Sequence, residues 1–293
     1  MKKSPLAPKS IVVTFDDGLK EHFENALPVL EKMRIPFIFF VNSKPYSDNK
    51  ALTVHMVHYL RSIIAPGDLL NNIQKASMAL FKTALPLEDI MNSMPLHVYP
   101  YDDADSKLIK YIFNFYLPKD KSATIAGHIF QAYCDEAEFC KKFYMAADEL
   151  RMVHDKYKAI GLHGHSHVAL TGLSEKEAHR EIRLCKNTIQ EIVSDEIICL
   201  SYPFGYSDSV SLREERIAIE AGLIFCFTME MCFNRDVNIA PHLLGRINNN
   251  EALGHEQAAF KYADNDFVIT DKNRMKYCRE RYYSDCPDFL KQL

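Results

Sequence analysis

The sequence predicts an α/β protein of the barrel class, with parallel strands and one large, mostly helical insertion. Three observations lead to this prediction. Short apolar runs alternate with amphipathic stretches, several apolar runs end in unusual polar residues, and the alternation is interrupted once, between residues 51 and 144. In α/β barrels the chemistry lies at the carboxyl ends of the strands, so the polar strand ends also indicate where a functional site would form.

The first forty residues predict a β-α-β unit. Ile11–Phe15 is a short β-branched and aromatic run, which is typical of a buried strand. Apolar residues recur at helical spacing from Lys20 to Met33, and Pro36–Val41 is a second buried strand. Such a unit favours parallel strands covered by helices.

Residues 51–144 contain no strand of comparable quality, and prolines break the segment into helical stretches. We expect one domain over 1–293 with 51–144 as a helical insertion within it. A stripe of apolar residues at helical spacing predicts packing rather than a binding surface, and it comprises Leu108, Ile109, Ile112, Phe113 and Tyr116. An acidic and aromatic cluster is predicted as a solvated loop, with contact to the site as the alternative, and it comprises Tyr99, Tyr101 and Asp102–Asp105.

The alternation resumes near residue 145. The pattern predicts helices at Asp148–Tyr157, from Ser174 to Val193 and at Leu212–Ala221, and strands at Ala159–Leu162, Ile197–Tyr202, Gly222–Met229 and Leu243–Ile247. Ser174 and Glu177 have the spacing of a capping box, which marks the start of a helix. The polar tail from Tyr262 gives no clear signal.

Composition excludes several classes of protein. The 293 residues are 47% hydrophobic and 25% charged, which is ordinary for a globular chain and excludes collagen, coiled coils and disordered tails. The net charge of −4 argues against nucleic acid as a partner. No apolar run approaches the roughly 20 residues of a membrane span, and the first nine residues lack an apolar stretch, so we expect a cytoplasmic protein. The eight cysteines contain no CxxC pair and are predicted to be free thiols.

Two adjacent carboxylates, Asp16 and Asp17, follow the first strand. Asp17 and Gly18 alone are typical of a turn without function. Adjacent side chains at a strand end also project in different directions, so one carboxylate can bind a metal while the other acts as a base in the same pocket.

Three histidines, His163, His165 and His167, follow the strand that ends at Leu162. Imidazole is a common ligand of divalent metals, and two histidines with one carboxylate leave positions open for water and substrate. We expect His165 to point away from the other two, and therefore to support the ligands or contact the substrate rather than bind the metal. A polar surface loop and the site of a non-haem iron oxygenase are the alternatives.

A third element, Tyr202-Pro-Phe-Gly205, also follows a strand. It predicts a tight turn, in which a backbone N–H can point towards a developing oxyanion. In the order Thr14-Phe-Asp-Asp-Gly18, His163-x-x-x-His167 and Tyr202-Pro-Phe-Gly205, the chain resembles the NodB-type polysaccharide deacetylases, carbohydrate esterase family 4.

The resemblance implies a distorted (β/α)7 barrel and a hydrolase that removes an N-acyl group, acetyl or formyl, from a carbohydrate substrate. It implies a divalent metal, usually Zn2+ with Co2+ or Ni2+ as alternatives, held by Asp17, His163 and His167. A water bound to that metal would be the nucleophile, Asp16 the general base, and the N–H of Phe204 part of the oxyanion site. The resemblance carries no prediction of oligomeric state.

The sequence departs from the family pattern in three places, one of which is His165 between the two histidine ligands. Ser201 stands near the place of an arginine that supports the base, and we expect Arg246 to replace it beside Asp16. The late motif that supplies a general acid is missing, with His242 and His255 as candidates. An O-acetyl sugar esterase and an inactive carbohydrate-binding homologue therefore stay open as alternatives.

Overall fold

A parallel sheet of five strands forms the centre of the molecule. The computed structural model describes residues 10–94, 102–206, 209–230, 234, 237–238, 240–249, 260–263 and 266–269. The strands are β1 (Val13–Phe15), β2 (Phe37–Val41), β3 (Ile160–Leu162), β4 (Cys199–Ser201) and β5 (Phe225–Phe227), paired in that order. Every neighbouring pair is parallel, and the α/β barrel class is confirmed.

The sheet is an open half-barrel in the described part of the chain, with five parallel strands where the resemblance implies seven. The predicted strand Leu243–Ile247 contributes one parallel bridge, between Leu244 and Phe227. The predicted strand Gly222–Met229 is shorter than expected. Gly222 closes the preceding helix through a bond to the carbonyl of Ile219, and the N–H of Met229 bonds Gly205.

Helices cover the sheet as the alternating pattern predicts. They are α1 (Leu27–Met33), which follows a π-helical turn at His22–Ala26, α2 (Lys44–Ser47), α9 (Ala147–Tyr157), α10 (Glu175–Val193) and α11 (Leu212–Glu220). The predicted capping box is present at α10, where the Ser174 N–H donates to the Glu177 carboxylate at 2.9 Å. Between the sheet and these helices lies a core that includes Phe39, Leu162, Ile182, Leu200 and Ile217, all fully buried.

Residues 51–144 are helical and have a hydrophobic core of their own, with members from Ala51 to Tyr144. The helices are α3 (Thr53–Ile63), α4 (Pro66–Phe81), α5 (Leu87–Ser93), α6 (Ala104–Tyr111), α7 (Lys119–Phe130) and α8 (Glu136–Phe143), with a π-helical turn at Ile112–Tyr116. The predicted apolar stripe packs into this core except for Tyr116, which is exposed. Full burial of each aliphatic side chain contributes about 1.5–3 kcal/mol.

The acidic cluster has a structural role. The Asp103 carboxylate accepts the N–H of Ser106 and caps α6, while Asp102 pairs with Lys110 at 2.6 Å. Tyr99 and Tyr101 lie outside the described residues.

The cysteines within the described ranges are free thiols, as predicted, and they are Cys134, Cys140, Cys185, Cys199 and Cys226. Strands β6 (Phe260–Ala263) and β7 (Asp266–Ile269) form a separate antiparallel pair in the tail. None of the helices in the described ranges is both long enough and apolar enough to cross a membrane.

Candidate active site

The carboxyl edge of the parallel sheet brings the predicted residues together. Asp16 and Asp17 directly follow β1, His163 directly follows β3, and Ser201 is the last residue of β4. Arg246 lies just beyond the bridge that Leu244 makes to β5. Because parallel strands end at the same edge, residues far apart in sequence meet there.

Three non-glycine residues at this edge have left-handed backbone: Asp17 with φ 79°, His167 with φ 54° and Phe204 with φ 63°. Each such conformation costs on the order of 1–3 kcal/mol and is concentrated at functional sites. Gly205 follows with φ 70°, and a Cβ there would lie 2.6 Å from the backbone nitrogen of Met229. Only glycine fits that close approach.

Asp17, His163 and His167 form a group whose ligand atoms all lie within 4.8 Å of one another. Asp17 Oδ1 is 3.5 Å from His163 Nε2 and 3.4 Å from His167 Nε2. That oxygen is buried and lacks a hydrogen-bond partner among the described residues. An unpaired buried carboxylate oxygen facing two imidazole nitrogens fits a divalent cation, and the donor set suits a zinc-like ion with open positions.

The protonation states suit cation binding. His163 Nδ1 lies 2.7 Å from the carbonyl oxygen of Ser201, which only accepts, so Nδ1 carries a hydrogen and Nε2 is the nitrogen that can bind a cation. Burial lowers the pKa of His167 to about 4, because its effect is larger than that of the Asp17 charge, which acts to raise this pKa. Burial acts to raise the pKa of Asp17, but His167 and the other neighbouring histidines hold it well below its ordinary value.

Asp16 is held by Arg246 in a bidentate pair. The two guanidinium nitrogens donate to Oδ1 at 2.7 Å and to Oδ2 at 2.8 Å, and the Ser201 hydroxyl donates to Oδ2 at 3.3 Å. Burial acts to raise the pKa of Asp16, but the charges of His163 and Arg246 outweigh it and keep the pKa below its usual value. The carboxylate is therefore ionised and fixed in orientation, 3.8 Å from His163 Nε2.

Two buried residues that the sequence motifs did not reveal hold the histidine loop. The Asn42 amide, just after β2, donates to the carbonyls of His163 and Gly164. At the other end of the loop, Glu181 of α10 accepts the N–H of Ser166 at 2.8 Å and its hydroxyl at 2.7 Å. Asparagine and glutamate are common in any sequence, so no local pattern marked them.

His55 and Tyr144 are a second pair that sequence reasoning missed, and both belong to the segment 51–144. His55 Nε2 lies 3.3 Å from Asp17 Oδ2, and its Nδ1 lies 2.7 Å from the Tyr144 hydroxyl. The available signal was a histidine within the apolar residues of a helix, which is more often a satisfied core residue than a functional one.

Other candidate residues lie elsewhere. His165 bonds the Ser43 hydroxyl at 2.8 Å and is not part of the ligand group. His242 Nε2 lies 3.0 Å from the carbonyl oxygen of Leu223, which precedes β5, so His242 lies at the amino end of that strand and not at the carboxyl edge. His255 lies outside the described residues. The Phe204 ring packs edge-on against the His167 ring, with centroids 4.9 Å apart, so its turn borders the ligand group.

The fold and the site together define an enzyme of the α/β barrel class. The sequence profile of a family described as polysaccharide deacetylase matches residues 3–76 and 98–221. The chain therefore belongs to the polysaccharide deacetylase family, which confirms the resemblance, and it is an enzyme of that deacetylase class. The matched residues contain the two aspartates, the histidine loop and the Tyr-Pro-Phe-Gly turn.

Solved structures of similar fold come from several bacteria. The deacetylase domain of BpsB from Bordetella bronchiseptica is 14% identical, with 83% of this chain and 72% of that chain covered and a TM-score of 0.45. IcaB from Ammonifex degensii is 15% identical, with coverage of 82% and 69% and a TM-score of 0.44. A de-N-acetylase from Aggregatibacter actinomycetemcomitans is 11% identical, with coverage of 83% and 71% and a TM-score of 0.45. A search of curated proteins finds no match.

Proposed function

We propose that the protein is a metal-dependent hydrolase that removes an N-acyl group, acetyl or formyl, from an amino sugar or its glycan precursor. The observation that carries the proposal is the unpaired Asp17 oxygen facing His163 and His167, with the fixed carboxylate of Asp16 beside it.

Asp17, His163 and His167 would hold the divalent ion, with Zn2+ as the first choice and Co2+ or Ni2+ as alternatives. A bound ion of this kind polarises the acyl carbonyl and makes water acidic enough to lose a proton near neutral pH. The two uncharged imidazoles and one carboxylate leave the ion a net positive charge, which is what an electrophilic role requires.

Asp16 would accept the proton that the attacking water loses and, once protonated, would pass it to the leaving nitrogen as the C–N bond breaks. Its ionised state and its two bonds from Arg246 prepare it for that task, because a base must be both unprotonated and correctly aimed. The backbone N–H of Phe204 would donate to the oxygen of the acyl group as it gains negative charge. One such donor contributes about 3–4 kcal/mol.

The segment 51–144 would form one wall of the sugar site, as an insertion within a single domain over 1–293. Phe115, from the π-helical turn, packs on Phe204 with ring centroids 5.3 Å apart. Phe115 remains 36% exposed, so part of it is free to contact a ligand. Aromatic faces bind the apolar face of a sugar ring, and the chain contains no tryptophan for that role.

An O-acetyl sugar esterase is the second candidate. The position of His242 beside Leu223, away from the carboxyl edge, favours the esterase, because an alkoxide leaves without the protonation that an amine requires. A carbohydrate-binding homologue without activity is disfavoured, since Asp17, His163 and His167 form one group of possible ligands and Asp16 lies 3.8 Å from His163.

The test is acetate and formate release from a panel of N-acyl and O-acyl amino sugars. Wild type, the same protein treated with chelator, and Asp16→Asn would be compared. We expect release by wild type, loss with chelator, recovery on adding Zn2+ or Co2+, and a large loss of kcat in Asp16→Asn. Release only from O-acyl sugars would establish the esterase instead, and no release from any substrate by ion-loaded wild type would contradict both.

A further inference from the structure

Helix α3 places a histidine against the second oxygen of the proposed cation ligand. His55 is only 3% exposed, and its Nε2 lies 3.3 Å from Asp17 Oδ2. The other oxygen, Oδ1, faces His163 and His167. We propose that His55 is a positioning residue for Asp17, so that it sets which carboxylate oxygen is offered to the divalent ion; the inference rests on the proposed function.

The hydrogen positions of this contact follow from its partners. The N–H of Leu52, at the start of α3, donates to the Tyr144 hydroxyl oxygen at 3.0 Å. Burial raises the pKa of Tyr144 well above its ordinary value, so the hydroxyl keeps its hydrogen. With its oxygen already accepting from Leu52, the hydroxyl donates to His55 Nδ1 at 2.7 Å.

The consequence is a fixed tautomer of His55. Because Nδ1 accepts from Tyr144, the ring hydrogen lies on Nε2, which donates to Asp17 Oδ2. Oδ2 is then engaged with the protein, and Oδ1 is the oxygen left for the ion.

The backbone of the same segment holds the Asp17 turn. Tyr144 forms an antiparallel bridge with Leu19, and the N–H of Met145 donates to the carbonyl of Gly18 at 3.0 Å. The strained turn at Asp17 is thus held by the His55 side chain near the start of the segment 51–144, and by the backbone of Tyr144 and Met145 at its end and directly after it. The segment thereby contributes to the cation site itself.

The experiment measures the affinity of the purified full chain for Zn2+ and Co2+ by competition with a chelator of known affinity. His55→Leu removes the donor, and His55→Gln keeps an amide N–H at a similar distance from the backbone. His58→Gln, one helical turn away and exposed, is the matched control. Loss of a residue that orients a metal ligand typically weakens affinity by about 10–100-fold.

We expect a 10- to 100-fold loss in His55→Leu, at least partial recovery in His55→Gln, and no change in His58→Gln. Thermal unfolding of each ion-free variant shows whether it is folded. If His55→Leu does not fold, Tyr144→Phe carries the test, and we expect it to weaken affinity because the tautomer is no longer fixed.

The inference would be overturned if a folded His55→Leu variant bound the ions as tightly as wild type. If His55→Leu does not fold, the same result in Tyr144→Phe would overturn it. Either result would leave the proposed function standing. An equal loss in His55→Leu and His55→Gln would also overturn the inference, since the donor would then not matter. A wild-type chain that binds neither ion would overturn the inference together with the proposed function.

Discussion

Replacing Arg246 with lysine tests whether Asp16 needs only a positive charge beside it or also the two parallel hydrogen bonds of a guanidinium. The guanidinium donates to both carboxylate oxygens, at 2.7 and 2.8 Å, and also to the carbonyl of Thr228 at 3.0 Å. A lysine keeps the positive charge but has one nitrogen, so it cannot reproduce the two parallel bonds. At least one bond to Asp16 is therefore lost.

A hydrogen bond to a charged group contributes about 1.5–3 kcal/mol. If that energy serves to aim the base, kcat falls about 10- to 150-fold, since each 1.36 kcal/mol changes a rate tenfold. The assay is steady-state kinetics on the substrate identified from the panel, with thermal unfolding to verify the fold. Arg216→Lys is the control, because the pairs that Arg216 of α11 forms, with Glu175 of α10 and Glu220 of α11, are exposed. A kcat in Arg246→Lys within twofold of wild type would refute the argument that the bidentate pair orients Asp16.

Three further predictions concern the surroundings of the site. Phe115→Ala should raise KM several-fold with kcat nearly unchanged, because it removes an aromatic face from the proposed wall of the sugar site; an unchanged KM would contradict that role. Glu181→Gln should lower the free energy of unfolding by about 1–3 kcal/mol in urea titrations, because it weakens the bonds from Ser166 and removes the charge paired with Lys119, and an unaltered urea midpoint would contradict this. Burial lowers the pKa of His22 to about 4, while an unfolded histidine has a pKa near 6.5. The unfolded chain therefore binds more protons, so stability should fall from pH 6.5 towards 4, and His22→Phe should show a smaller loss; an identical pH dependence in that variant would rule out this source.

The sequence predicted the parallel sheet and the main cluster because both have local signals. Buried strands are short β-branched and aromatic runs, and the polar residues at their ends stand directly after them, as Asp16 and His163 do. Parallel pairing then brings those ends to one edge without further information. The contact of Arg246 with Asp16 followed from the same rule.

The parts that were missed depend on long-range packing. His55 and Tyr144 are 89 residues apart and meet only through the folding of six helices, and neither stands in a recognisable motif. The expectation of a seven-stranded barrel came from the family resemblance. In the described residues the parallel sheet has five strands and one added bridge. Strand limits also depended on tertiary contacts, as the bond from Met229 to Gly205 shows.

The metal content of the purified chain tests the central claim most directly. Wild type would be stripped with chelator, reloaded with Zn2+ and measured by elemental analysis beside Asp17→Ala and His163→Ala. His165→Ala is the control, since its side chain bonds Ser43 and lies outside the ligand group. The account predicts about one ion per chain in wild type and the control, and loss of that ion in both ligand variants. A folded wild type without bound ion, or full retention of the ion in Asp17→Ala and His163→Ala, would contradict it.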